Sequence, residues 1–394
     1  MNIRSLPRLV VTFTALALGA ATTTSFAQEP IRIGWLSSLT GPLSTAAIAE
    51  NEGLRFAVDE MNKAGGIDGR KLELLTRDTA GDPTKAVNFA NQLVHQDKVN
   101  FIIGPVNSGE ALATIPIVAR AGVPNLVIGA LDELTDPVKF PRAFRVIFTN
   151  EQWLRVSHDY AIKVLKAKKI ALIGDTTGFG AATVKKSTAM LAALGITPVY
   201  SVLVDPNRTS VSDEMTKAKE AGADIVMPWT ASTGLLARIL NARGDMGWDV
   251  PVVGHSAIMT TAIKGLLNKP AYWEKTYAVG FRNMTYGADG KLPERTQRLM
   301  DAIRPKLGGG QIDFTFWWVA HAYDFAQIIQ HAVKTAGSTD PAAIQKALEG
   351  TRNFKGYYAD YSWSPTERNG FQESGLVMNR ANSFRDGSYE LAPQ

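Results

Sequence analysis

The chain has 394 residues, about two to three times the size of a typical domain, so two domains are expected. Hydrophobic residues make up 45% and charged residues 20%, with 34 glycines and 19 prolines, which excludes disordered, collagenous and coiled-coil classes. The formal charge of +5 carries no basic block of the kind a phosphate-backbone binder needs, so no nucleic-acid partner is expected, and the absence of cysteine removes disulfide scaffolds, thiolate metal sites and thiol nucleophiles together.

The first segment reads as an export signal. Arg4 and Arg8 give a positive start, Leu9 to Ala21 is an uncharged apolar run, and Ser25-Phe26-Ala27 is a small-x-small cleavage site. Thr12, Thr14 and Thr22 to Thr24 dilute the run too far for a membrane anchor of roughly 20 apolar residues. Residues 1–27 are therefore expected to be removed on export to the periplasm. No later apolar stretch reaches membrane length, so the mature chain is expected to be soluble.

After the signal, two periodicities alternate. Ile31 to Leu36 has strand length, and Ala46 to Ala64 carries apolar residues at helical spacing. Strands at Leu72 to Leu75, Phe101 to Ile103 and Asn125 to Ile128 alternate with helices from Pro83 to about Gln96 and from Gly109 to Ala121. The rhythm restarts near Thr149-Asn150. Helices at about 152–165, 181–194, 212–221 and 235–243 alternate with strands at 169–173, 199–204, 225–227 and 251–253. Strands alternating with helices of this length predict βαβ units and two parallel-sheet lobes of similar size. Beyond Tyr277 the order loosens: Tyr277 to Phe281 reads as extended, Pro293 to Arg304 as helix, and Asp313 to Lys334 as a long apolar helix. The aromatic-rich tail from Phe354 is expected to return to the two lobes, crossing between them and so forming a hinge.

No persuasive catalytic team emerges. The five histidines, His95, His158, His255, His321 and His331, never place two ligands on one helical face, so no metal is expected. Gly254-His255-Ser256-Ala257 partly matches a nucleophile elbow but lacks its last glycine, which leaves an exported serine hydrolase using Ser256 as a rival reading. Gly174, Gly178 and Gly180 follow a strand with the wrong spacing for a dinucleotide loop, so no cofactor is expected. What the strand ends do offer is small polar groups and helix starts, where ligands of open parallel sheets bind. Ser37 to Thr40, Asn107-Ser108-Gly109, Gly129-Ala130-Leu131, Thr176 to Gly180, Trp229-Thr230 and His255-Ser256 all lie there. Ser108 and Gly109 suit a carboxylate, although helix capping alone would also explain them. Trp229 reads equally as pocket wall or core, and Trp317-Trp318 as core.

Ile31-Arg32-Ile33-Gly34 with Thr40-Gly41-Pro42, the run from Asn62 to Arg70 containing Gly65-Gly66-Ile67-Asp68-Gly69-Arg70, and Asp78-Thr79-Ala80-Gly81-Asp82-Pro83 together resemble the leucine/isoleucine/valine-type solute-binding proteins of ABC importers. The resemblance extends through Phe101 to Pro105, Glu133-Leu134-Thr135 and Phe144-Arg145, and is weakest after about Arg282. It implies a periplasmic binding protein-like type I fold, two doubly wound α/β lobes joined by a three-stranded hinge. The N-terminal lobe would be 28–149 plus about 283–354, and the C-terminal lobe 150–282 plus about 355–394.

The resemblance further implies a non-enzymatic monomer that binds a small carboxylate ligand and docks on a membrane permease; a sensor of a signalling system shares the fold. Ser108 matches the hydroxyl that holds the ligand carboxylate, with Gly109 beside it. Ala130 and Leu131 match a loop that adds contacts, and Trp229 an aromatic wall. Phe179 stands where the family often has tyrosine and Asn150 where it has aspartate. Ser256 stands where the amino-acid binders carry a glutamate that pairs with the ligand ammonium. Ala46 replaces an aromatic found in some relatives, and Gly81 and Asn107 stand where relatives often carry a cysteine pair. A buried ammonium without a carboxylate partner is costly, so these departures point to an aromatic or other organic acid.

Overall fold

The computed structural model describes residue 1, residues 29–41 and residues 43–394; the expected export signal lies outside the described residues. The first half reads β1 (Ile31–Ser37), α1 (Ser44–Lys63), β2 (Leu72–Asp78), α2 (Pro83–Asn91), β3 (Phe101–Ile103), α3 (Ser108–Arg120), β4 (Asn125–Val127) and β5 (Ala143–Arg145). There follow α4 (Asn150–Asp159), β6 (Ile170–Asp175), α5 (Gly178–Ala193), β7 (Tyr200–Val204), α6 (Ser212–Glu220), β8 (Ile225–Trp229), α7 (Thr233–Asp245), β9 (Val252–Gly254) and β10 (Thr276–Phe281). The tail adds β11 (Thr285–Tyr286), α8 (Glu294–Ile303), α9 (Trp317–Ala336), α10 (Pro341–Glu349), β12 (Phe354–Lys355), β13 (Asp360–Tyr361), β14 (Leu376–Arg380) and β15 (Tyr389–Glu390).

Two sheets result, ordered β2-β1-β3-β4-β5 and β14-β10-β9-β8-β6-β7. Within these two sheets all pairings are parallel except that of β14 with β10 at the edge of the second, and two small two-stranded sheets stand apart, β11–β15 parallel and β12–β13 antiparallel. Both faces of the first sheet are covered, so β1 is apolar almost throughout. Ile33 and Trp35 pack with Leu54 and Ala57 of α1, whereas Leu36 and Ile102 pack with Ala90, Leu93 and Val118. Helix α9 seals the first face by crossing α1 at Gly53, where a Cβ would stand 2.8 Å from Val319 Cα. Its Phe325 meets Trp35 with ring centroids 6.1 Å apart.

Three expectations needed adjustment. Helix α9 starts at Trp317 rather than Asp313, because Gly308 to Gly310 and the following residues form a loop held by Asp386, whose carboxylate accepts from Ile312 N at 2.9 Å. Strand β5 and helix α10 were not anticipated; β5 is only three residues long, and α10 is announced by Asp340-Pro341, with Asp340 capping Ala342 N and Ala343 N. Residues from about Lys355 to Asn369, expected with the second lobe, meet the edge of the first sheet. Arg145 bridges Asn369, and Trp363 Nε1 donates to Arg145 O at 3.0 Å.

The chain thus passes three times between the sheets: after β5, after β10, and between Asn369 and β14. The first pass, Val146 to Thr149, ends in a capping box on α4, with Thr149 Oγ1 accepting from Gln152 N and Gln152 Oε1 accepting from Thr149 N. It is anchored from the first lobe by His321, whose Nε2 lies 3.0 Å from Val146 O and whose Nδ1 lies 3.0 Å from Glu50 Oε1; burial raises the Glu50 carboxyl above its ordinary pKa.

Candidate functional site

The carboxyl ends of β1, β3 and β4 face those of β6, β8 and β9, and a cavity of about 60 Å³ lies between them. The first sheet's side supplies Leu43, Ala46, Val106, Asn107, Ile128 and Ala130; the second supplies Phe179, Ala231, His255 and Ala257; Ile147 and Phe148 from the first crossing and Trp318 from α9 complete it. Asn107 and His255 are the only side chains among these with hydrogen-bonding groups besides the Trp318 indole. Among the described residues no carboxylate lines the cavity.

Of the residues singled out from sequence, Ala130 and Phe179 line the cavity, and elsewhere a neighbour of the named residue does. Asn107 lines it while Ser108, Gly109 and the start of α3 stand behind. Ala130 lines it while Leu131 packs with Ala111, Ile115 and Val127. Ala231 and His255 line it, whereas Trp229 and Ser256 are fully buried. Trp229 sits behind Trp153, edge to face at 5.0 Å, and Phe179 stacks on the same Trp153 at 6.3 Å. Asn150 is fully engaged: its Nδ2 donates to Thr183 Oγ1 at 3.3 Å, its Oδ1 accepts from Trp153 Nε1 at 3.0 Å, and its backbone N–H donates to Ala130 O at 2.8 Å.

Polarity around the cleft is one-sided. The loop 129–131 has its carbonyls taken up internally: Ala130 O by Asn150, and Gly129 O and Leu131 O by the guanidinium of Arg145. The buried polar atoms left without a partner around these strand ends are chiefly hydroxyls and indole N–H groups, Ser108 Oγ, Ser256 Oγ, Trp229 Nε1 and Trp318 Nε1, with one carboxylate oxygen, Glu110 Oε1, beside them. Each hydroxyl and indole can donate a hydrogen bond, and the indoles can do nothing else. Ser256 also lacks a base, because neighbouring His255 turns its Nδ1 to accept from Ala257 N at 3.3 Å; an activated nucleophile is not formed.

The glycines after β6 have a packing role. A Cβ on Gly180 would come within 2.2 Å of Asp175 Oδ1, and one on Gly174 within 2.4 Å of Val184 Cγ2. Asp175 accepts from Thr177 N and from Thr230 Oγ1. Gly178 differs: its Cβ would stand 2.7 Å from Gly109 Cα, so the first turns of α3 and α5 touch across the cleft.

His255 is neutral. Burial pushes its pKa down to about 3, and with Nδ1 accepting, the proton resides on Nε2. An unfolded histidine charges near 6.5 and this one only near 3, so the unfolded chain binds more protons in that window and stability falls as pH drops through it. Asp324, pushed up to about 7 by burial, acts oppositely: the folded chain keeps a proton that the unfolded one releases above 3.8, so its contribution is lost as pH rises toward 7. Replacing His255→Gln should isolate the first effect. Between pH 7 and pH 5 the variant should lose about 2 kcal/mol less than wild type in urea unfolding; equal losses would contradict the assignment.

Two α/β lobes closing on a cavity at the carboxyl ends of their strands define a type I binding-protein architecture. A family model described as periplasmic binding protein matches residues 30–382. The chain is 31% identical over 329 residues, 82% of its length and 84% of the relative's, to Leu/Ile/Val-binding protein homolog 3 of Brucella melitensis. It is 29% identical over 343 residues, 86% and 88% of the two chains, to Leu/Ile/Val-binding protein BraC3 of Rhizobium johnstonii. Among solved structures, a periplasmic binding protein type 1 from Bordetella pertussis superposes with a TM-score of 0.81 at 22% identity, covering 93% of this chain and all of that one. The branched-chain amino acid transporter substrate binding protein LivJ of Streptococcus pneumoniae, in complex with isoleucine, gives 0.78 at 24% identity over 92% and 99%.

The chain belongs to the periplasmic binding protein family. It is a solute-binding protein and not an enzyme, of a family whose members bind small molecules outside the cytoplasm. Among the described residues no helix is long and apolar enough to cross a membrane.

Proposed function

We propose that the chain captures a small organic acid without an α-ammonium group, an aromatic acid above all, between its lobes and delivers it to the permease of an ABC importer. In this reading residues 1–27 are a cleaved export signal and the protein acts as a periplasmic monomer. One jaw is 28–149 with about 283–369, the other 150–282 with about 370–394.

The observation that carries this reading is the imbalance of hydrogen-bonding groups at the cleft. Donors are unpartnered at Ser108, Ser256 and Trp318, while the carbonyls of the 129–131 loop are occupied and, among the described residues, no carboxylate lines the cavity. A carboxylate gains from such a surface; an ammonium would lose its hydration without replacement. The nearest buried carboxyl on α3, Glu110, is turned to Ser38, which donates to it at 3.2 Å, and burial raises its pKa. Apolar walls of Ile128, Ile147, Phe148 and Phe179 suit an aryl or alkyl body.

Ser108→Ala tests the role of the hydroxyl. Because Ser108 Oγ has no partner within the protein, the variant should unfold within about 0.5 kcal/mol of wild type. Its affinity for an aryl acid such as 3-phenylpropionate, measured by calorimetry, should drop by about ten- to a hundredfold, the loss of a hydrogen bond to a charged group. Unchanged affinity would remove Ser108 from the site.

A further inference from the structure

The cavity of about 60 Å³ is too small for an aryl acid, being the share of roughly two water molecules. Directly beyond it lies an open groove of about 610 Å³ between α1, the loop after β9 and the segment leading into α9. Trp318 is the one residue that lines both. It is 8% exposed, and its indole Nε1 is buried with no hydrogen-bond partner, an unusual state for a buried tryptophan N–H. Trp318 lies in the first turn of α9, next to a loop rather than deep in a helix.

Resting on the reading of the cleft given above, we propose that the groove is a second subsite for the same ligand. The indole of Trp318 separates the two compartments and turns to let an acid pass beneath it, which widens the cavity around the apolar body and lets a distal arm lie in the groove. The groove specifies the chemistry of that arm. Hydroxyls converge there from both lobes, Thr45 from α1 and Thr260 and Thr261 from across the cleft. Phe314 and Phe384 provide flat apolar faces. Its two charged residues, Lys264 and Asp313, are of opposite sign, so the groove favours neither a second carboxylate nor an ammonium. A neutral, hydrogen-bonding extension fits it, an amide or hydroxyl arm on an aryl acid.

The experiment compares two probes by calorimetry on the full mature chain: 3-phenylpropionate, and the same acid carrying a para-acetamido arm. Wild type should bind the extended acid at least as tightly as the short one. Trp318→Ala, which joins the compartments, should favour the extended acid by a further fivefold or more. Thr261→Val, a partly exposed position where folding is not at stake, should weaken the extended acid about three- to tenfold and leave the short acid unchanged. Binding of the short acid alone, in wild type and in Trp318→Ala, would overturn the subsite and leave the cleft reading intact. An equal effect of Thr261→Val on both probes would also overturn it. Binding of neither probe by any form would sink the cleft reading itself and the subsite with it.

Discussion

Gly178→Ala should leave the fold intact and cripple closure. The position opens α5 in ordinary helical backbone, where alanine is as good as or better than glycine, so urea stability should be unchanged or rise by up to about 1 kcal/mol. Across the cleft, however, the new methyl would stand 2.7 Å from Gly109 Cα and 2.9 Å from Gly109 N, both backbone atoms at the start of α3 that no rotamer change can move. The lobes can meet only by shifting apart, at a cost typical of overpacking, about 1–3 kcal/mol. Ligand binding draws its closing energy from the difference between open and closed forms, so affinity for 3-phenylpropionate should fall about five- to a hundredfold. Small-angle scattering should show the variant more extended than wild type under the same conditions. Wild-type affinity with a wild-type scattering profile would mean that the α3–α5 contact does not limit closure.

Arg145→Met should be among the most damaging single changes in the protein. The side chain is fully buried at the end of β5, and burial pulls its pKa down to about 10. No carboxylate bonds it. Its guanidinium instead donates to Gly129 O, to Leu131 O and to Thr135 Oγ1 at 3.2 Å, and its Nε donates to Asn369 Oδ1 at 2.7 Å. One side chain therefore fixes the loop that walls the cavity at Ala130 and ties it to the strand returning to the second lobe. Methionine fills the volume but leaves those acceptors buried and unpaired, which should cost about 3–5 kcal/mol in urea unfolding. Lysine keeps the charge without the planar fork and should recover less than half of the loss. A loss below about 1 kcal/mol for Arg145→Met would show that water or relaxation satisfies the loop without the guanidinium.

The fold was legible because its signals are local and repeated. Apolar runs of strand length, each followed by an amphipathic helix, suffice to predict parallel sheets, and the restart near Thr149 coincides with a capping box that the structure retains. The tail was less legible since β12 and β13 are two-residue strands, and their place beside β5 is set by Trp363 and Asn369 meeting Arg145 rather than by any periodic pattern. At the cleft, sequence located the strand ends and named Ala130 and Phe179, which line the cavity, but at two other strand ends it named the neighbour, Ser108 for Asn107 and Ser256 for His255. Which of Asn107 or Ser108, Ala130 or Leu131, and His255 or Ser256 points into the cavity depends on how the chain leaves each strand, and a single-residue step exchanges the two sides. Trp318 was read as core because it sits in an apolar run; only the start of α9 at Trp317 exposes it to the cleft. Ala46, which stands where some relatives have an aromatic, lines the cavity together with that same indole.

A jaw whose unpartnered groups are mostly donors should prefer an acid to the amino acid of the same skeleton. The direct measurement is calorimetric titration of the mature chain with two matched pairs, 3-phenylpropionate against phenylalanine and 4-methylpentanoate against leucine, at one pH and ionic strength. The account predicts that each acid binds at least about tenfold more tightly than its amino acid, the cost of burying an unpaired ammonium. Leucine or phenylalanine binding as tightly as, or more tightly than, its des-amino partner would contradict it.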